Sequence, residues 1–200
     1  MSEIADSNTP VSAATSGVFY PLRRHPTNAA PMIGVVEAAI THVSDAGLSF
    51  YFRLRGDISR LRLPVETIAE RSDLLWQHTC CEVFIGPVGD PGYREFNFSP
   101  SGRWAAYDFS DYRQRLPDPP LESPHIASHI TEGRFELIAR VPAVALPPLA
   151  AADHFEIGLA VIVEAKDTVN EALSYWALHH DAARPDFHRR EGFVLRWTNP

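Results

Sequence analysis

The sequence predicts an all-β protein, an antiparallel β-sandwich of the immunoglobulin or jelly-roll kind with about ten strands and minimal helix. Three observations carry that expectation. Apolar residues alternate with a period of two in Phe50-Phe52-Leu54, in Phe135-Leu137-Ala139-Val141 and in Phe155-Ile157-Leu159-Val161-Val163, which turns one set of side chains to a core and the other outward. The runs are short and are broken by Pro, Gly and Asp, the residues of turns. Helical spacing is scarce, and "PVETIAERSD" (64–73) is the best candidate for one or two turns.

Residues 1–16 are small and polar without periodicity and read as a mobile tail, leaving 17–200 as a single domain. Strands are expected at 34–43, 47–56, 79–86, 93–99 and 103–110. After the proline-rich loop "RLPDPPLESP" (115–124), further strands are expected at 125–131, 134–142, 155–165, 173–179 and 192–197.

Composition narrows the partners. A hydrophobic content of 45% and an aromatic content of 10% are ample for a globular core. A net charge of -7 argues against nucleic acid, whose binders usually carry a basic patch, and gives no attraction to anionic lipid. No stretch approaches the roughly 20 apolar residues of a membrane span. The first residues lack the basic and apolar regions of a signal peptide, so a cytoplasmic address is expected. The only cysteines, Cys80 and Cys81, are adjacent on a predicted strand. They therefore point to opposite faces and read as two small buried hydrophobes rather than a bridge.

The most informative region is "LWQHTCCEVFIGPVGDPGYREFNFSPSGRWAAYDFSDY" (75–112). Two turn-rich breaks should fold it into a three-stranded meander. Alternation places Val83, Ile85, Phe96, Phe98, Trp104 and Ala106 on an apolar face. Glu82, Tyr93, Glu95, Asn97, Ser99, Arg103 and Tyr107 fall on the other. The turns put Glu82 opposite Asn97 and Ser99 opposite Arg103. Cross-strand neighbours lie about 5 Å apart, so Glu82, Asn97 and Arg103 can converge on one ligand. A polar outward face is also what any sandwich strand presents, and that reading suits Tyr93 and Glu95. Glu82 differs because its strand is otherwise apolar on both faces; a carboxylate there must be paired or hydrogen-bonded.

These residues, "LWQHTCCEVFIGP…YREFNFSPSGRW", resemble the family-9 carbohydrate-binding modules and the wider DOMON-like superfamily. The C-terminal "LSYWALHHDAARPDFHRREGFVL" is similar to the closing segment of bacterial single-domain DOMON-like proteins. The resemblance spans about residues 18 to 198. It implies a non-catalytic module that clamps a sugar between tryptophans and hydrogen-bonds it with carboxylate, amide and guanidinium groups. Matched to the motif, Trp76 and Trp176 are the clamp, Glu82 the acid and Arg103 the hairpin arginine. The amide that such modules carry just before the second tryptophan is absent, and Leu173 stands three residues upstream of Trp176. Trp104 and Trp197 read as core; Trp76 also has a core reading, as a cap on the sandwich.

The C-terminal stretch holds His179, His180 and His188 around a Pro185-Asp186-Phe187 turn. Their spacing matches no zinc signature. His188 with Asp186 is expected to order the turn, and His179 and His188 stand as ligand hydrogen-bonders beside Trp176. No cofactor is expected; haem, through Met32 and a histidine, and calcium are the alternatives that related proteins suggest. The expected partner is a carbohydrate or a sugar-bearing metabolite. A haem-binding protein and a protein-interaction module are the rival readings. An enzyme would need two carboxylates flanking a cleft, for which Glu82 and Glu95 are the available pair. The sugar reading depends on Glu82 and Arg103 opening into one hollow roofed by an indole.

Overall fold

Two antiparallel sheets pack face to face in the structure, a computed structural model that describes residues 17–27, 32–42, 47–147, 154–166 and 173–198. The strands run β1 (Tyr20–Pro21), β2 (Arg23–Arg24), β3 (Ile33–His42), β4 (Leu48–Gly56), β5 (Cys80–Pro87) and β6 (Tyr93–Phe98). They continue as β7 (Trp104–Phe109), β8 (His125–Thr131), β9 (Arg134–Val141), β10 (His154–Glu164), β11 (Leu173–Ala177) and β12 (Leu195–Thr198). One sheet has the order β1-β3-β4-β9-β8. The other has the order β2-β11-β10-β5-β6-β7, with β12 also paired to β10.

Each run expected as a strand forms one, with ends shifted by up to three residues. The proposed tail, 1–16, lies outside the described residues. The sequence gives no sign of β1 and β2: they are two-residue pairings on either side of buried Leu22, too short to show alternation. Leu22 closes the edge of the sandwich, and the chain passes there from one sheet to the other.

The helical turn expected at 64–73 does not form. Val65 and Ile68 remain exposed, so a helix there would bury no apolar face and would lack the packing that stabilises short helices. The segment instead runs extended beside β7. Thr67 N donates to Ser101 O, Ser72 N to Trp104 O, and Trp104 N to Glu70 O. It thereby satisfies a strand edge that would otherwise be open. Short 3-10 turns form at Ile58–Arg60, Leu75–Gln77, Ala143–Ala145 and Arg190–Gly192. Among the described residues no helix is long and apolar enough to cross a membrane.

The main core lies between the sheets. Val36, Phe50, Phe52, Leu54, Phe135 and Leu137 of one sheet meet Val83, Ile85, Phe96, Phe98, Leu159 and Val161 of the other. Burying each such side chain contributes about 1.5–3 kcal/mol. The meander register matches expectation: Glu82 faces Asn97, and Phe98 faces Trp104. Gly102, at φ +91°, makes the hairpin turn by donating its N–H to Ser99 O.

A second apolar cluster covers the outer face of the seven-stranded sheet. It contains Leu75, Cys80, Phe84, Tyr93, Ala105, Tyr107, Phe109, Ala160, Ala177 and Phe193. The cover is the C-terminal stretch. β11 pairs with Ala160–Glu164 of β10, and β12 pairs with His154–Ile157 on the same edge. Between them the chain leaves the sheet after Leu178 N–H bonds Leu159 O, crosses the outer face, and returns at Leu195. Gly158 lies at the gap between the two pairings. A Cβ there would stand 2.9 Å from Phe193 Cδ1, so only glycine lets this cover settle on the strand.

Candidate functional site

The alternation that sends Val83 and Ile85 inward sends Glu82 and Phe84 outward, and the same holds for Glu95 and Asn97 on β6 and Tyr107 and Phe109 on β7. Where Phe84 lies, the C-terminal cover seals the sheet with Phe187 and Phe193. Where Glu82 and Glu95 lie, the cover stands off and leaves a cavity of about 370 Å³. Trp76, Tyr107, Phe109, Tyr175 and Phe187 supply its aromatic surface, and Glu82, Glu95, Arg113, Arg115, Asp186 and His188 its polar one.

The two carboxyls differ in their partners. Glu95 accepts a 2.6 Å hydrogen bond from Asn97 Nδ2, and its other oxygen lies 3.7 Å from His188 Nε2. Glu82 is 3% exposed, faces the cavity, and makes no hydrogen bond among the described residues. Burial, then the neighbouring Glu95, pushes the Glu82 carboxyl well above the usual range, against the pull of Arg113. Burial raises Glu95 to about 7, opposed by the Asn97 hydrogen bond and by Arg113 and Arg115. A diagonal pair on adjacent strands is about 7 Å apart. The environments therefore keep Glu82 the more strongly protonated of the two.

His188 is held in place from two sides. Arg113 N–H donates to the Tyr93 hydroxyl at 3.2 Å, and the same hydroxyl bonds His188 Nδ1 at 2.8 Å. The Nε2 edge of the ring faces Glu95. Burial, then Arg113, lowers His188 to about 4, which keeps the imidazole neutral. Asp186 anchors the mouth: Tyr112 Oη and Arg113 Nη2 donate to it at 2.6 and 2.9 Å, and His188 N at 3.3 Å. Trp76 stands half-exposed beside Tyr107, ring centroids 6.0 Å apart, while Arg115 stacks 4.2 Å over the Tyr107 ring. Among the described residues two non-glycine residues have positive φ: Arg113, at 54°, lines this cavity, and Leu74, at 62°, precedes the 3-10 turn that carries Trp76. Strain of that kind persists where surrounding structure enforces it and clusters at functional sites.

Of the residues expected at a site, Trp76, Glu82 and His188 line this cavity, and Asn97 lies beneath it as the partner of Glu95. Arg103 does not join them. It stands on the turn before β7, where Glu70 draws its guanidinium into a 2.8 Å ion pair, so the hollow expected between Glu82 and Arg103 is not formed. Trp176 does not join either. It faces Val161 across β10–β11 and packs between the sheets, its indole N–H donating to Ser174 Oγ. His179 borders a separate small crevice beside Phe84 and Gly158.

The residues standing in those places are Arg113, Arg115 and Tyr175. Alternation sets Tyr175 opposite to Trp176, and the β5–β10–β11 pairing decides that Tyr175 takes the Glu82 face. The arginines lie in the irregular "SDYRQRLP" after β7, where no periodicity assigns a face. Both cysteines are buried and unbridged, Cys80 in the outer cluster and Cys81 between the sheets. Among the described residues no three His, Cys, Asp or Glu are grouped to hold a metal. Met32 packs against the core between the sheets, whereas His188 lies on the opposite face of the seven-stranded sheet, so they cannot form an axial pair across one haem pocket.

Three solved structures share this architecture. A candidate carbohydrate-binding protein from Bacteroides uniformis is 18% identical, with a TM-score of 0.63 over 89% of this chain and 84% of that one. A family-9 carbohydrate-binding module from Caldicellulosiruptor kristjanssonii, in complex with cellotriose, is 9% identical, with a TM-score of 0.52 over 82% and 73%. A structure of a family-9 module from the same organism with glucose is 10% identical, with a TM-score of 0.53 over 89% and 82%. The fold of the chain is that of the family-9-like β-sandwich. No protein-family model and no curated protein matches the sequence.

Proposed function

We propose that the protein binds a carbohydrate in the cavity between Trp76, Tyr175 and the Glu82–Glu95 pair. The observation that carries this reading is Glu82, a carboxyl 3% exposed, turned into a cavity and lacking a hydrogen-bond partner among the described residues. Its oxygens open onto the cavity, where a hydroxyl-bearing guest can supply the hydrogen bonds that the surrounding side chains do not. A pyranose suits the walls, since its C–H faces pack on aromatic rings and its rim hydroxyls both donate and accept. The volume is in the range of small-ligand sites, about 300–1,000 Å³. Sugars bound by proteins of the same fold add support.

Thermal-shift and titration screens with mono- and disaccharides test the reading. A sugar at a hundredfold excess over its Kd should stabilise the protein by about 2.7 kcal/mol. Trp76→Ala should abolish that gain, and Arg103→Ala should leave it. No stabilisation by any sugar, or a gain that survives Trp76→Ala, would overturn the proposal.

A further inference from the structure

Binding alone leaves several features of the cavity unused. A sugar site needs hydrogen-bonders; it does not need two buried carboxyls with unlike partners on one floor, nor a histidine fixed beside one of them. We propose that the cavity is also catalytic, opening and reclosing the hemiacetal ring of a reducing sugar, with Glu95 as the base at the anomeric hydroxyl and Glu82 as the acid at the ring oxygen. This rests on the carbohydrate reading above.

The proton movements balance without a co-reactant. Glu95 carboxylate takes the proton of the anomeric hydroxyl. The C1–O1 bond becomes a carbonyl as the C1–O5 bond breaks, and Glu82 delivers its proton to O5. After rotation about C1–C2 the same steps run backward on the other face of the carbonyl, returning both protons and giving the opposite anomer. Each carboxyl suits its part. Glu82 has no hydrogen bond to hold its proton elsewhere, whereas Glu95 accepts from Asn97, which favours its carboxylate. His188 is a positioning residue: Nε2 stands 3.7 Å from Glu95 Oε2, and Tyr93 fixes the ring from behind. The charged and titratable groups around the pair are Cys80 on β5, Tyr93 on β6, Tyr107 on β7, Tyr175 on β11, Arg113 and Arg115 after β7, and Asp186 and His188 in the cover. Hydrolysis of a glycosidic bond would also use two carboxyls. Ring opening needs only a proton donor and acceptor, and Glu95, near 7, is suited to accept at neutral pH.

The test follows the anomeric equilibration of freshly dissolved α-D-glucose, α-D-galactose and α-D-xylose by polarimetry and by NMR exchange, with binding of each measured in parallel. A bound sugar should equilibrate faster than in buffer, and Glu95→Gln and Glu82→Gln should each lower that rate by about 10²–10⁴-fold while the sugar still binds. His188→Gln should shift the acid limb of the rate–pH profile with little change in binding. The Gln variants are near-isosteric, and a melting curve checks their folding. Sugar bound with no acceleration, or acceleration unchanged in Glu95→Gln, would overturn the catalytic proposal and leave the binding one. Loss of binding for every sugar in the wild-type protein would overturn both.

Discussion

The outer faces of the two sheets are built on the same alternation and come to opposite ends. On the five-stranded sheet, Glu37, Arg53 and Glu136 stand side by side across β3, β4 and β9, each near 20% exposed, with Arg53 Nε 2.9 Å from Glu136 and Arg55 3.0 Å from Glu37. Each of these four charges has an opposite neighbour and stands partly exposed. On the seven-stranded sheet, Glu82, Glu95 and Asn97 occupy the equivalent side and are 5% exposed or less, and the two acids lie beside each other. One face is an exposed ladder of ion pairs, the other a roofed floor on which two acids neighbour each other. Two added pieces make the difference: the 178–194 excursion and the loop carrying Arg113 and Arg115. Polarity on a strand thus does not by itself mark a solvent face; what crosses above it decides.

That contrast can be broken most severely at its roof. Phe84 holds the cover through Phe187, His188 and Phe193. Phe84→Ala should cost about 3–5 kcal/mol and lower the melting temperature by roughly 10 °C, with loss of sugar binding, read by calorimetry and titration. Trp176→Ala should cost a similar amount, about 3–5 kcal/mol, yet leave measurable sugar affinity at low temperature, because that indole faces the interior.

Smaller effects sharpen the comparison. Glu82→Leu should stabilise the unliganded protein at pH 8 by about 1–3 kcal/mol, since it removes a buried polar group without a partner, while abolishing binding; chemical denaturation measures the gain.

Stability against pH separates Glu95 from His188. Glu95 is raised from 4.5 to about 7, so its contribution is full below 4.5 and is lost as pH rises toward 7. His188 is lowered from 6.5 to about 4, so its contribution is full above 6.5 and is lost as pH falls toward 4. Glu82, also raised well above the usual range by burial, adds a second falling slope, and between about 4.5 and 6.5 the two acids oppose the histidine. Glu95→Gln should therefore flatten the fall of the melting temperature with pH across that window, and His188→Gln should steepen it. The smallest effect belongs to the ladder: Arg53→Ala should cost at most about 1 kcal/mol and respond to salt.

How far the amino-acid sequence carries follows the same division. Phe155 to Val163 and Phe135 to Val141 were readable as strands because half-buried pleats impose a period of two, and the Glu82–Asn97 register followed from two short turns. The helix expected at 64–73 failed because its apolar residues had nothing to cover. Trp176 was matched to a clamp by motif, although alternation alone left open which face of β11 it takes. Arg113 and Arg115 escaped altogether, since a side chain on an irregular loop is aimed by tertiary contacts, here Asp186 and the Tyr107 ring. The cavity itself arises where the cover is held away from the acids, a relation between segments some hundred residues apart.

β2 has one further consequence. Arg23 and Arg24 pair with Ala177 and Trp176, His25 N–H bonds Tyr175 O, and the His25 and His180 rings donate to Ala182 O and Arg23 O. The segment that roofs the acids is thus fastened by residues from near the opposite end of the polypeptide. During synthesis Glu82 and Glu95 leave the ribosome well before residues 178–194, and until that cover packs they remain wetted. The cavity closes only when the cover arrives, and removing residues 178–194 should open it while most of the sandwich still forms.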